Sequence, residues 1–297
     1  MQRFFKLERV TRRAPLGMRF LDLARGLIVN DGLVVTAWRI GTSGPKQRAY
    51  PSPLSGIYGF RTLPGLHGFE VGERPASDWC GSSSETIPPD EISDLTSLRG
   101  LLSADENPTQ ANFVVAVQDS RQRFLPQVLQ FCLPKEHIVE VPLFSSPARP
   151  ALAGQGIVRG ELVTYHQGQP SEPASWALVT ATIDNHTSVA VADARGMFTL
   201  FVPYASVLPP LDGAPPRGNG TGQLSWPITL QVFYQPSKQR SIAEVGLPDS
   251  LSVLDQDRTN VYLDMNAAPV SELTAIIRLG GDLVVATAGQ SQLFVAS

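Results

Sequence analysis

Short apolar runs, each bounded by glycine, proline or turn-forming residues, recur along the whole chain. Residues 33–38, Leu-Val-Val-Thr-Ala-Trp, are rich in the β-branched side chains that favour strands. In residues 54–60, Tyr58 and Phe60 fall on the same face of an extended segment. Residues 280–281, Gly-Gly, predict a hairpin turn between two such runs near the end of the chain. Because few segments show a sustained 3.6-residue period, the pattern predicts an all-β protein.

Polar and proline-rich stretches divide these strands into groups. Residues 70–110 are a long insertion with one short helix predicted between residues 93 and 102, and residues 209–223 are a second long loop. Proline stiffens a linker and cannot donate to a sheet ladder, so the proline-rich residues 142–150 predict a domain boundary. We therefore expect an N-terminal arm (1–16), a first β-sandwich (17–141, with the insertion at about 70–110), a linker (142–150) and a second β-sandwich (151–297).

The second half repeats the order of elements in the first. Val-Thr-Ala occurs at residues 35–37 and again at 179–181, and residues 55–60 align with residues 195–200 through a glycine followed two residues later by Tyr58 or Phe198. A repeated element order of this kind favours a duplicated β-sandwich module. The fold expected is thus two tandem sandwiches of the prealbumin or immunoglobulin-like type.

Composition and charge exclude one class of function. The chain of 297 residues carries 24 Lys and Arg against 27 Asp and Glu, and only 17% of its residues are charged. A protein that binds nucleic acid electrostatically has a basic excess, so we expect no nucleic-acid partner. No apolar run approaches the roughly 18–20 residues that span a bilayer.

The two cysteines, Cys80 and Cys132, lie in no CxxC or Cys/His spacing that would hold zinc. In a chain of this length two cysteines do not make a disulfide framework, so both are predicted to be free thiols. The N-terminal residues lack the uninterrupted apolar core of a signal peptide. These observations predict a protein located in the cytoplasm.

Motifs that would carry catalysis or bind a cofactor are not found. The four histidines are far apart in sequence, and neither HExxH nor G-x-S-x-G occurs. We expect no enzyme activity, no cofactor and no metal. A catalytic triad assembled from distant residues is left open, and a pocket with clustered titratable groups is the observation that would support it.

The arm has a pattern that the rest of the chain lacks. Its five basic residues (Arg3, Lys6, Arg9, Arg12 and Arg13) alternate irregularly with Phe4, Phe5, Leu7 and Val10. A frayed terminus, a membrane-surface segment and a nucleic-acid contact are all open interpretations. Among the functional interpretations we favour addition of the arm as a strand to the sheet edge of a partner, since Phe4 to Val10 include β-forming residues.

Two segments resemble a known β-sandwich module. Residues 55–65, Ser-Gly-Ile-Tyr-Gly-Phe-Arg-Thr-Leu-Pro-Gly, and in outline residues 193–198, Asp-Ala-Arg-Gly-Met-Phe, are similar to carboxypeptidase-regulatory and CnaB-type prealbumin-like domains. There an Asp-x-x-Gly turn precedes an aromatic strand that a Leu-Pro-Gly closes. Here the first segment has Pro53 in place of the aspartate, and the second lacks the Leu-Pro-Gly. The resemblance implies non-catalytic spacer or interaction domains.

The wider layout resembles structural proteins of phage-tail-like contractile injection systems. The motifs that carry this likeness lie at residues 31–38, 55–58, 63–66, 124–126, 141–145, 175–178 and 226–230. The resemblance implies a non-catalytic component of the baseplate or tail periphery. Its partners would be other baseplate, tube or sheath proteins and copies of itself, with no transmembrane segment and only indirect membrane contact.

Apolar residues in segments without an obvious core of their own are the predicted interface residues. The runner-up hypothesis is a carbohydrate-binding protein on the same folds, which predicts exposed coplanar aromatic rings on one sheet face. An enzyme is the third hypothesis. The interface residues predicted are Phe4, Phe5, Trp79, Leu95, Leu98 and Leu101.

Overall fold

The all-β prediction is confirmed by the computed structural model of the chain. The structure describes residues 12–42, 44–80, 98, 111–166, 171–184, 186–204 and 225–296. Within them the strands form two groups, each built of two sheets that face each other across an apolar core. None of the helices among these residues has the length and apolar character that a membrane crossing requires.

The first group of strands packs two sheets around a core that includes Phe20, Tyr58, Phe113 and Leu129. In one sheet β1 has β2 and β6 along one edge and β9, in parallel, along the other, with β5 beyond β6. The facing sheet has the antiparallel order β4-β3-β7-β8. The elements of the first group are β1 (Gly17–Asp22), β2 (Leu27–Val29), β3 (Leu33–Arg39), β4 (Gln47–Arg48), β5 (Tyr50–Pro51), β6 (Tyr58–Gly59), α1 (His67–Glu70), a 3₁₀ turn (Ala76–Asp78), β7 (Phe113–Asp119), β8 (Gln127–Phe131) and β9 (Ile138–Leu143).

The second group repeats this plan around a core that includes Leu162, Phe198, Trp226 and Ile277. One sheet centres on β10, with β13 antiparallel on one edge and β20 and β21 parallel on the other. The facing sheet runs β12-β11-β14, followed by β17 and β19. The elements of the second group are β10 (Gln155–Tyr165), β11 (Leu178–Ile183), β12 (His186–Val191), β13 (Met197–Pro203), β14 (Ser225–Phe233), a 3₁₀ turn (Pro236–Lys238), β15 (Ser241–Ile242), β16 (Leu247–Pro248), α2 (Ser250–Leu254), β17 (Arg258–Thr259), β18 (Val261–Tyr262), β19 (Leu273–Arg278), β20 (Asp282–Val285) and β21 (Leu293–Ala296).

The two groups share one topology, as the repeat in the sequence suggests. In the first, β3 pairs with β4 and β7, β7 with β8, and β1 with β6 and, in parallel, β9. In the second, β11 pairs with β12 and β14, β14 with β19, and β10 with β13 and, in parallel, with β20 and β21. The Val-Thr-Ala tripeptides lie in the equivalent strands β3 and β11. The structure therefore supports duplication of a single module.

Both turns that carry the family resemblance form in the same way. Gly196 has a φ of +78°, and a Cβ there would lie 2.2 Å from the carbonyl oxygen of Leu162, so only glycine fits. The Asp193 carboxylate accepts hydrogen bonds from the backbone N–H groups of Arg195 and Met197. In the first module, whose turn has Pro53 at the aspartate position, Ser52 takes this place: its Oγ accepts from the N–H of Ser55, 3.4 Å away.

A segment of the second module packs over the first. After β14 the chain leaves its sheet, forms the β15–β16 hairpin and α2, and returns at β17. Ile242 of this hairpin joins an apolar cluster with Trp38, Val114 and Val128 on the outer face of the β3–β7–β8 sheet. The hydroxyl of Ser250 donates to the carbonyl of Val128 at 3.0 Å. We call residues 235–256 the clamp segment, because they hold the two modules together.

Three local expectations require correction. Cys80 and Cys132 form a disulfide, with their Cα atoms 5.8 Å apart, and are not free thiols. Gly280 makes a turn with φ of +70°, but β19 and β20 on either side belong to different sheets, so the turn is not a hairpin. The strand β9 extends to Leu143, two residues into the predicted linker, because it pairs with β1 over its whole length.

Candidate functional site

A cleft of about 300 Å³ lies where the first module meets the connector that leads to the second. Exposed Leu27 and Ile28 of β2, together with Leu152, form an apolar wall. Arg25, Asp31 and Arg123 are among the charged residues that line it. Clefts with apolar walls and a few fixed polar groups are the usual form of a binding surface.

The floor of the cleft is held by a buried arginine. Arg149, in the proline-rich connector, is 4% exposed and donates from Nη1 to Oδ1 of Asp22 at 2.8 Å and from Nη2 to the second carboxylate oxygen. Nη1 also donates to the hydroxyl of Ser145 at 2.9 Å. The guanidinium carbon lies 4.9 Å from the ring centre of Phe124 and 5.4 Å from that of Phe201. Through these contacts Arg149 links β1, the connector and β13.

This arginine is a residue that sequence reasoning missed. The signal was in β1, where strand alternation places Asp22 on the same face as Met18 and Phe20. A carboxylate on a core-facing position needs a cationic partner, since an isolated buried charge is strongly unfavourable. The partner could not be identified from the sequence, because Arg149 lies 127 residues further along the chain.

A second charged network forms the rim beside the β7–β8 turn. The Asp119 carboxylate accepts hydrogen bonds from the side chain of Arg123, at 2.9 and 3.1 Å, and from the backbone N–H groups of Arg121 and Arg123. Burial alone would raise the pKa of Asp119, but these hydrogen bonds outweigh burial and hold that pKa below its ordinary value. Arg123 also contacts Asp31, at 3.3 Å, and this contact holds the turn between β2 and β3.

An exposed apolar surface continues from the cleft. The turn that includes Gly56 packs on Ile28, since a Cβ at Gly56 would lie 3.2 Å from Ile28 Cγ2. On the same turn, Leu54 is fully exposed. Together with Leu27 these residues make an apolar patch beside a charged rim, the arrangement found at protein–protein contact surfaces.

The interface residues predicted from the sequence fall in several places. Phe4, Phe5, Leu95 and Leu101 lie outside the described residues. Trp79 is half-buried against the first core, with its ring edge-on to that of Phe69 at 6.5 Å. Leu98 is helical and 2% exposed. Trp79 and Leu98 therefore pack within this chain.

Aromatic side chains gather on the outer face of the second module. Tyr165, Tyr262 and Phe294 alternate with the core residues of β10, β18 and β21, so they point away from the core. The Tyr165 ring lies 5.1 Å from that of Tyr262 at 65° and 6.0 Å from that of Phe294 at 87°. These edge-to-face contacts differ from the coplanar platform that the carbohydrate hypothesis predicts.

A buried carboxylate in the clamp segment has a structural partner. Asp249 is almost fully buried, and Arg240 donates to its Oδ2 at 3.0 Å. Burial raises the pKa of Asp249, and the charge of Arg240 opposes that rise only in part. In the part of the chain that the structure describes, no group of three or more His, Cys, Asp or Glu side chains is arranged to hold a metal ion.

Comparisons with known proteins find only distant likenesses. No family model matches the sequence, and no curated protein matches it. Among solved structures, the Bacillus anthracis TIE protein matches over 95% of this chain, at 10% identity and a TM-score of 0.21. The chain spans about a third of that protein, of which 34% is covered.

Two Bacteroides ovatus structures described as candidate adhesins also match. The first, from strain ATCC 8483, covers 98% of both chains at 10% identity and a TM-score of 0.21. The second covers 80% of this chain and 76% of its own, at 10% identity and a TM-score of 0.14. At such TM-scores these likenesses carry no argument about the function of this chain.

Proposed function

We propose that the chain is a non-catalytic structural component of a phage-tail-like contractile injection system, at the baseplate or tail periphery. The observation that carries this proposal is the fixed junction between the modules. Buried Arg149 contacts both of them, and the clamp segment packs across the first. A protein that transmits geometry between neighbouring subunits needs such rigidity, whereas two freely linked modules would not provide it.

The ion pairs of three buried or partly buried aspartates support a structural role. Asp22, Asp119 and Asp249 are each bonded to an arginine of the same chain, so their charges fix the fold. The cleft and the apolar patch at Leu27, Ile28 and Leu54 are then surfaces for neighbouring subunits. The partners in this proposal are baseplate, tube or sheath proteins and further copies of the chain.

The Cys80–Cys132 disulfide bears on the compartment in which we propose the chain to act. Disulfides persist in oxidising surroundings and are rare in a reducing cytoplasm. We therefore infer that the chain assembles into its particle in the cytoplasm and that the Cys80–Cys132 bond closes once the particle has left it.

The test is to isolate whatever large complex co-sediments with a tagged copy of the chain and to identify its components by mass spectrometry. Sheath, tube and baseplate proteins in fixed ratio are the expected result. A chain that sediments alone as a soluble monomer would overturn the proposal.

A carbohydrate-binding protein is the second candidate function; only the gathering of Tyr165, Tyr262 and Phe294 on one outer face favours it, since their edge-to-face contacts are not the coplanar platform it calls for. A glycan array with the purified chain tests it. Binding that is lost in Tyr262→Ala, but kept in the control Tyr50→Ala at an exposed tyrosine of the first module, would support this function over the structural one.

A further inference from the structure

The turn between β19 and β20 leaves one side of the second module open. Within the described residues β19 pairs only with β14, and β20 pairs only with β10, so the two strands diverge after Gly280. Each therefore has one edge along which no described strand is paired. The backbone N–H and C=O groups of such an edge form a template for pairing with another chain.

Large apolar side chains surround this open edge. Ile276 of β19 is 63% exposed, Leu279 in the turn 52% and Val284 of β20 65%. By contrast β12, at the opposite edge of the same sheet as β19, buries or half-buries both its valines. Edge strands are usually protected by charged residues or proline, so an exposed apolar edge indicates an interaction surface.

The N-terminal arm has the properties of a strand that would pair there. Residues 1–16 carry five basic side chains and one acidic, while the other 281 residues carry 19 basic and 26 acidic. The arm is thus oppositely charged to the remainder of the molecule, which favours its association with a neighbouring copy. In residues 5–8, Phe5 and Leu7 alternate with charged residues, as in a strand with one apolar face.

The arm also has a fixed starting point and sufficient length. Its path is described from Arg12, and the N–H of Arg13 donates to the carbonyl of Glu70 at 2.9 Å, which attaches it to the first module. The ten residues 2–11 span up to about 33 Å when extended, since a strand rises about 3.3 Å per residue. That is longer than β19, whose six residues span about 20 Å.

We propose that residues 2–11 of one copy add as a strand to the free edge of β19 in a neighbouring copy, with Phe5 and Leu7 packing on Ile276 and Leu279. This inference rests on the proposed role in a multi-copy assembly. It identifies the partner as the chain itself and assigns the arm to strand addition.

Sedimentation of the full-length chain over a range of concentrations tests the proposal. The wild type self-associates, Phe5→Asp and Ile276→Asp each weaken association at least about tenfold, and Ile40→Asp leaves it unchanged. Ile40 is the matched control because it is also an exposed isoleucine, and it lies in the other module. A synthetic peptide of residues 1–13 dissociates the wild-type oligomer, and a peptide of the same residues in scrambled order does not.

Several results would overturn this proposal. They are a wild type that stays monomeric up to its solubility limit, an equal loss of association in Ile40→Asp, and a peptide that has no effect. Because Ile276 lies on the surface, Ile276→Asp is expected to fold like the wild type, and a thermal melt verifies this. If Ile276→Asp still co-sediments with the particle, the arm proposal fails while the proposed function stands; if the wild type never does, the proposed function fails by itself.

Discussion

At the scale of single residues, the junction depends on a charge that the fold has removed from water. Asp22 and Arg149 are both almost fully buried, and each supplies the hydrogen-bonding partner of the other. The aromatic rings of Phe124 and Phe201 cover the guanidinium from the two modules. Loss of either charge therefore leaves the other buried and uncompensated.

Arg149→Ala is expected to lower the free energy of unfolding by about 3–5 kcal/mol, because the Asp22 carboxylate would remain buried without a partner. Denaturant unfolding of the purified chain measures it. Arg121→Ala is the control: Arg121 pairs with half-exposed Asp31 at 2.8 Å, and such pairs contribute less than about 1 kcal/mol. Equal losses in the two variants would contradict this account of the junction.

Asp119→Asn is expected to lower the free energy of unfolding at pH 7 by about 1–3 kcal/mol, because Arg123 loses its bidentate acceptor. The pKa of Asp119 is depressed in the folded chain, so its contribution is complete above its unfolded pKa and is lost as the pH falls through the folded value. The difference between wild type and variant should thus shrink as the solution is acidified below pH of about 4.

Unfolding curves recorded across this acidic range make the measurement. Asp31→Asn serves as the control, since Asp31 contacts the same Arg123 but is half-exposed and should have a smaller effect. A difference between wild type and Asp119→Asn that stays constant with pH would show that Asp119 contributes no charge-dependent stability.

At the scale of elements, the disulfide joins the segment after α1 to the end of β8. Cys80 and Cys132 are 52 residues apart, and the chain between them includes residues 81–110 of the long insertion. A bond that closes so long a loop restricts the unfolded chain, and removal of a native disulfide typically lowers stability by about 2–5 kcal/mol. The bond ties Cys80, within the insertion, to the residue that follows β8 in the first module.

The double variant Cys80→Ser, Cys132→Ser is expected to lose stability within that range. The oxidised wild type should show no thiol that reacts with an alkylating agent under denaturing conditions, and two after reduction. Mass spectrometry counts the added groups. Two reactive thiols in the chain taken from particles that have left the cell would contradict both the bond and the inference that it closes outside the cytoplasm.

At the scale of the whole molecule, the two modules are packed as one body. Residues of the second module, among them Leu178, Val191 and Leu254, belong to the first core cluster, and the clamp segment covers the outer face of the β3–β7–β8 sheet. Elements coupled through a shared apolar interface unfold together, whereas weakly linked domains unfold separately.

Calorimetry is therefore expected to record one unfolding transition for the wild type. Ile242→Asp places a charge in the cluster beneath the clamp segment and should divide the transition into two, because the modules lose part of their contact. Val284→Asp is the control at an exposed apolar position and should keep one transition. Two transitions in the wild type would contradict the coupling.

The sequence by itself determined the local structure. Period-two alternation predicts that Tyr58 and Phe60 share one face, and that face lies in the first core. The resemblance to carboxypeptidase-regulatory and CnaB-type modules implies a turn at residues 193–196, and the duplication is visible as a repeated order of elements. These features depend on residues within a few positions of one another, which is the range over which strand and turn preferences act.

Only the tertiary structure decided which distant residues meet. The Cys80–Cys132 bond, the Asp22–Arg149 pair and the clamp segment over Trp38 each join residues separated by 52 positions or more. The same holds at Gly280, where a turn typical of a hairpin connects strands of different sheets. Alternation fixes the face on which a side chain lies but not its partner, since pairing depends on how the sheets pack across the core.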